Sequence, residues 1–367
     1  MKSRKNRGRS HINKNKNTKD TKNTKNTKNT KKNTQNNKTG RVRRPRRVNC
    51  SKKPNETHAL QVSQLHKIYY YEFGAADGEP VFVLHGGPGD RSRFDHVRLF
   101  DCAKYRIIFI DQRGCGRSRP ACELKENTTN DLVEDIERVR IAAGLGGDDT
   151  RIQIFGASWG TFLALSYAIK YPAAVSRLVL RSVFLCTRQE YADVEKGEFV
   201  RKMFPDVYAE YVRGATDPGN ATREYYDKIL SSGSAVAREN AGTKVRDYEN
   251  ATMTLVPPPF SAGSSSSSSR ARPTQSDLCA AKMAAHYFGE RCFSRDIIAR
   301  LSGIKHIPVT IVQGRYDAVT PAYYAHQLHM ELPRSTIHYT VAGHAMSDAE
   351  NWSRLARIFG GTDDVTG

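Results

Sequence analysis

Six short apolar runs punctuate the chain: EPVFVLHGG (79–87), YRIIFID (105–111), RIQIFGAS (151–158), SRLVLRSV (176–183), HIPVTIVQG (306–314) and STIHYTVAG (335–343). Rich in Val, Ile and Phe and without strict polar alternation, they predict strands buried on both faces. Between them apolar residues recur at helical spacing. NDLVEDIERVRIAAGL (130–145) has Asn130 or Asp131 as its N-cap, TFLALSYAIKYP ends against Pro172, and PAYYAHQLHMEL reads as a further helix. Alternating strands and helices predict right-handed crossovers and an α/β fold, a mostly parallel doubly wound sheet with helices on both faces.

The rhythm fails between about residues 185 and 303, where helix-like segments such as QEYADVEKGEFVRKMF and TREYYDKILSS dominate. That block reads as a helical insertion between two parts of one core. The expected organisation is a tail over 1–56, core over 57–185, helical cap over 186–303 and core again over 304–367. A six-serine run, 264–269, predicts a flexible loop inside the cap.

Charge changes the picture only at one end. The net charge of +20 is that of a nucleic-acid binder until it is mapped: residues 1–53 hold 21 Lys or Arg and one acid, Asp20, so that segment alone carries +20 and the rest cancels. The tail repeats Lys-Asn-Thr and has no Phe, Trp or Tyr, a composition expected to stay disordered. Without aromatic rings to stack on bases, its nucleic-acid contact is expected to be weak, sequence-indifferent and salt-sensitive. RVRRPRR (41–47) reads as a nuclear-import patch on an otherwise cytoplasmic protein. No apolar segment follows the basic start as a secretory signal requires, and no run of 18 apolar residues spans a bilayer. Seven cysteines, odd in number and without C-x-x-C spacing, lead to the expectation of reduced thiols in the cytosol. The sequons at Asn127, Asn220 and Asn250 are then uninformative.

The candidate chemistry lies at strand ends. Gly156-Ala157-Ser158-Trp159-Gly160 sits between a strand and a helix, where a sharp turn exposes a serine and its small neighbours keep backbones from colliding. A serine hydroxyl needs a histidine base, and that histidine needs a carboxylate to orient it. In the chain order Ser, acid, His, the qualifying residues are Asp317, after the strand ending VQG, and His344, after the strand ending VAG. His338 falls inside a strand and His326 and His329 on a helix, while Asp111 precedes the serine and reads as a structural acid. The developing oxyanion needs donors. The backbone N–H of Trp159 and that of Gly87, in the glycine-rich HGGPG loop, are the candidates. That loop lacks both the GxGxxG and the Walker lysine patterns of phosphate cradles.

Taken together, HGGPG (85–89), DQRGCGRSRP (111–120), GASWG (156–160), GRYD (314–317) and AGH (342–344) resemble the prolyl aminopeptidase (proline iminopeptidase) family of α/β-hydrolases, over about residues 57–361. The resemblance implies release of N-terminal proline from short peptides by acylation of Ser158, with no metal or organic cofactor and no membrane. It also implies a cap that holds the substrate amine with two glutamates. One corresponds to Glu249, in VRDYENAT; at the place of the other, before HYF, this chain has Ala284. Asp277 and Glu290 are the nearby acids that could compensate, although two helical turns, about 10 Å, separate them from that position. Two rivals remain: an esterase or amidase with a relaxed amine pocket, and an RNA-binding or scaffold protein directed by the tail.

Overall fold

The computed structural model describes residues 50–256, 273–290, 292 and 296–361. The basic tail through residue 49 and the serine run lie outside the described residues. Eight strands form one sheet in the order β1-β2-β4-β3-β5-β6-β7-β8. The six expected strands are β3 (Glu79–Leu84), β4 (Tyr105–Asp111), β5 (Ile152–Ala157), β6 (Val175–Arg181), β7 (Val309–Gly314) and β8 (Ser335–Thr340), all mutually parallel. Two more, β1 (Glu56–Gln61) and β2 (Lys67–Gly74), add an antiparallel edge.

Both faces of this sheet are buried, which is why its strands read as unbroken apolar runs. Phe82, Ile108, Ile154, Leu178 and Ile311 pack against α1 (Thr129–Ala142), α2 (Trp159–Lys170) and α9 (Ala322–Glu331). Their neighbours Val81, Ile107, Phe155, Val179 and Val312 pack on the other face against α10 (Ala349–Phe359). Helix α1 starts earlier than expected. Its N-cap is Thr128, whose hydroxyl accepts from the Asp131 N–H while the Asp131 carboxylate accepts from the Thr128 N–H, a reciprocal capping box.

The cap comprises α3 (Arg188–Lys196), α4 (Val200–Met203), α5 (Pro205–Val212), α6 (Ala221–Ser231), α7 (Ala235–Met253) and α8 (Gln275–Gly289). It has its own small core, in which Tyr211, Tyr225, Tyr226 and Ile229 meet Val245, Ala281 and Ala285. Among the described residues no helix is long and apolar enough to cross a membrane.

The expectation of reduced thiols is overturned. Cys50 bonds Cys102, Cys122 bonds Cys279 and Cys186 bonds Cys292, leaving Cys115 buried and free. The partners lie 52, 157 and 106 residues apart, so only the folded topology brings them together. The first bond ties the start of the described chain to the core. The second joins the loop after β4 to α8, and the third closes the neck of the cap.

Candidate active site

The parallel strands end at one edge of the sheet, and Gly87, Ser158, Trp159, Asp317 and His344 lie just beyond that edge, whereas Glu249 comes from α7. Strand β5 stops at Ala157 and α2 begins at Trp159, so the chain turns on Ser158 alone. Ser158 adopts φ 55° and ψ −123°, a conformation L residues rarely occupy and one that persists only where the surroundings enforce it. The two glycines are part of that enforcement. A Cβ at Gly156 would lie 2.3 Å from the Gly160 carbonyl oxygen, and one at Gly160 would lie 2.2 Å from that of Leu84.

Ser158 Oγ lies 3.0 Å from His344 Nε2, and His344 Nδ1 lies 2.9 Å from Asp317 Oδ2 and 3.1 Å from Oδ1. The carboxylate on Nδ1 assigns the ring proton to that nitrogen and leaves Nε2 to accept from the serine hydroxyl. Asp317 and His344 are buried. Burial pushes the Asp317 carboxyl up, but attraction to His344 and its hydrogen bonds outweigh burial and hold it below the usual carboxylate range. Those bonds include N–H donation from Val319 and Thr320 at 3.0 and 2.8 Å and the Thr320 hydroxyl at 3.0 Å.

The glycine-rich loop is locked to the serine turn through a glutamine. His85 donates from Nδ1 to the Gly86 carbonyl at 2.8 Å, and its Nε2 accepts from the Gln112 N–H at 3.2 Å. The Gln112 side chain donates to the His85 carbonyl at 3.0 Å and accepts from the Trp159 indole at 2.9 Å. Three separate motifs thus become one buried network that sets the distance between Gly87 and Trp159. Neither backbone N–H is spent on a hydrogen bond to a described residue. Both residues border the cavity that Ser158 faces.

This cavity has a volume of about 110 Å³, with Phe184, Tyr226, Val245 and Phe288 among its apolar walls. Glu249 projects into it from α7. The residue as a whole is exposed, while desolvation by the protein around its carboxyl pushes that group up to about 7. The end of α7 is docked on the His344 loop, where the Ala345 N–H donates to the Met253 carbonyl at 2.8 Å. Ala284 is buried in α8 and does not line the cavity. Neither compensating acid reaches it: Asp277 caps α8 through Thr274, and Glu290 ends that helix. The second acid at the cavity is instead Asp193, on α3.

Several side chains that serve the site escaped sequence reasoning. Gln112 and Thr320 are ordinary polar residues until the fold joins them to Trp159 and Asp317. Arg181 had a usable signal, a charge closing the apolar strand SRLVLR. It is buried, and donates to the His344 carbonyl and, at 2.9 Å, to Ser182 Oγ. Burial lowers its guanidinium to about 10 against the opposing pull of Asp317 and Asp348. Among the described residues, no three of His, Cys, Asp and Glu are grouped to hold a metal ion.

A serine on a strand–helix turn, hydrogen-bonded to a histidine that is in turn hydrogen-bonded to an acid, each from a later strand end of a mostly parallel sheet, is the arrangement of an α/β-hydrolase. The family model described as the alpha/beta hydrolase fold matches residues 79–350. Over 301 residues the chain is 36% identical to a proline iminopeptidase of Neisseria gonorrhoeae, covering 81% of this chain and 93% of the relative. It is 33% identical over 305 residues to a proline iminopeptidase of Arabidopsis thaliana, covering 81% and 77%. Among solved structures, a proline iminopeptidase-related protein from Thermus thermophilus aligns with TM-score 0.52 and 19% identity, covering 82% of this chain and 92% of that one. An esterase from Exiguobacterium antarcticum aligns with TM-score 0.51 and 18% identity, covering 82% and 97%, a likeness of fold. The chain belongs to the proline iminopeptidase family of α/β-hydrolases and is a hydrolytic enzyme.

Proposed function

We propose that the protein is a serine aminopeptidase that releases N-terminal proline, or a small residue, from short peptides. The observation that carries this reading is the hydrogen-bonded series Asp317, His344, Ser158 opening on an apolar cavity that contains Glu249. Ser158 Oγ attacks the carbonyl carbon of the first residue as His344 Nε2 takes its proton. The carbonyl oxygen, now an anion, is held by the N–H groups of Gly87 and Trp159, each such donor contributing about 2.7–4 kcal/mol to the transition state. His344 then gives its proton to the leaving amine and the C–N bond breaks, leaving an ester on Ser158. Water, deprotonated by His344, hydrolyses that ester and restores the hydroxyl. Asp317 keeps the imidazole in the tautomer both steps need. Glu249 meets the free amine, whose charge would be costly to leave unpaired in an apolar enclosure.

The second reading, an esterase or amidase indifferent to the amine, is favoured by one observation, the alanine at 284. Turnover of proline amides, other aminoacyl amides and N-blocked esters separates the two, with Ser158→Ala as control. The expected result is preference for free-amine proline substrates, with kcat lowered on the order of 10⁴-fold or more in Ser158→Ala. Cleavage of blocked esters alone would leave a hydrolase and end the peptidase reading. As for where the enzyme works, the three disulfides favour an oxidising compartment over the cytosol.

A further inference from the structure

The cavity in front of Ser158 is asymmetric in charge. Two carboxylates, Asp193 and Glu249, line it, and among the described residues no Lys, Arg or His does. The two acids come from separate cap helices, yet each is indexed to the core. Glu249 rides on α7, whose end is docked on the loop of His344. Asp193 rides on α3, and its Oδ2 accepts the hydroxyl of Tyr324 while its Oδ1 accepts the Gln189 amide at 2.7 Å. Tyr324 stands at the start of α9, just after Thr320 and Pro321, which wall the cavity, and Asp317, which orients His344. Each acid is therefore placed with respect to one of the two loops that serve the nucleophile.

We propose that Asp193 is a specificity-determining residue that, together with Glu249, accepts a hydrogen bond from the protonated N-terminal amine of the substrate. This inference rests on the aminopeptidase reading above. An ionised carboxylate has about four lone-pair sites, so the two donors already on Asp193 leave room for a ligand N–H. The chemistry of the ligand matches: a protonated proline nitrogen carries two N–H groups, one for each acid, beside an apolar ring suited to the apolar walls. The structure thus supplies from α3 the second acid that α8 lacks at Ala284.

The test measures kcat/KM on a prolyl arylamide and on an N-acetylprolyl aryl ester for the parent, Asp193→Asn, Asp193→Glu and Glu249→Gln. Reactive Ser158 is counted in each preparation by titration with a phosphonate. Asparagine keeps the shape and an acceptor for Tyr324 but removes the charge. The expected result is a free-amine to blocked ratio lowered on the order of 30-fold in Asp193→Asn, chiefly through KM, with part of it recovered in Asp193→Glu. A ratio equal to the parent's, with both substrates losing rate in parallel, would overturn the assignment and leave Asp193 a structural tie between α3 and Tyr324. A parent that does not favour the free amine would overturn the aminopeptidase reading itself, a different outcome visible before any variant is made.

Discussion

The core and the cap hold their functional side chains by different means. In the core, Ser158 is fixed by backbone contacts that admit no Cβ at Gly156 or Gly160, and Asp317 is surrounded by donors. In the cap, Glu249 faces the cavity with desolvation as the cause of its raised carboxyl, and Asp193 is held by side chains. The lesson is a division of labour. On the proposed function, bond-breaking is preorganised by sterics that tolerate little change, whereas recognition depends on how the helices between β6 and β7 are docked. Covalent ties add to the docking: Cys122–Cys279 joins α8 to the loop after β4, and Cys186–Cys292 joins the start of the helical insertion to the segment after α8.

This contrast can be broken experimentally. The largest effect is expected on the core side, from Ser158→Ala as described. Next comes the cap suture. Replacing Cys122 and Cys279 together with serine should lower the free energy of unfolding by roughly 2–4 kcal/mol in urea titrations. It should also raise KM for proline amides more than it slows phosphonylation of Ser158 by a small uncharged probe. Equal losses on both would mean that the cap positions the nucleophile as well as the substrate.

The smallest effect sharpens the role of Glu249. Its carboxyl is raised from 4.5 to about 7, so lowering the pH through about 7 protonates it and weakens its hold on an ammonium. The kcat/KM of free-amine substrates should therefore fall several-fold below that pH, with a limb missing from Glu249→Gln. The sign for stability is the reverse. The folded protein holds this proton more tightly than the unfolded chain, so ionising Glu249 costs stability as pH rises from 4.5 to about 7, a dependence Glu249→Gln removes. Identical pH profiles for parent and variant would exclude Glu249 from amine binding.

How much of this was legible in the sequence follows the same divide. The six parallel strands announced themselves because both their faces are buried, and Ser158, Asp317 and His344 were readable because each follows such a strand. The edge strand β1, partly exposed along its length, has no apolar run to betray it. Thr128 was missed as a cap because the periodic pattern begins after it. Asp193 looked like any acid on a charged helix until α3 packed beside Tyr324. The disulfides were hidden for a related reason: each pairing depends on how segments 52 to 157 residues apart fold together, and local spacing does not encode it.

The central claim, that Ser158 carries the acyl group of a residue with a free amine, is tested most directly by trapping. The enzyme is mixed with a prolyl aryl ester, quenched in acid during turnover, and its peptides are weighed by mass spectrometry. The expected result is a prolyl adduct on the peptide containing Ser158, lost in Ser158→Ala. Turnover with the adduct on another residue, or persisting undiminished in Ser158→Ala, would contradict it.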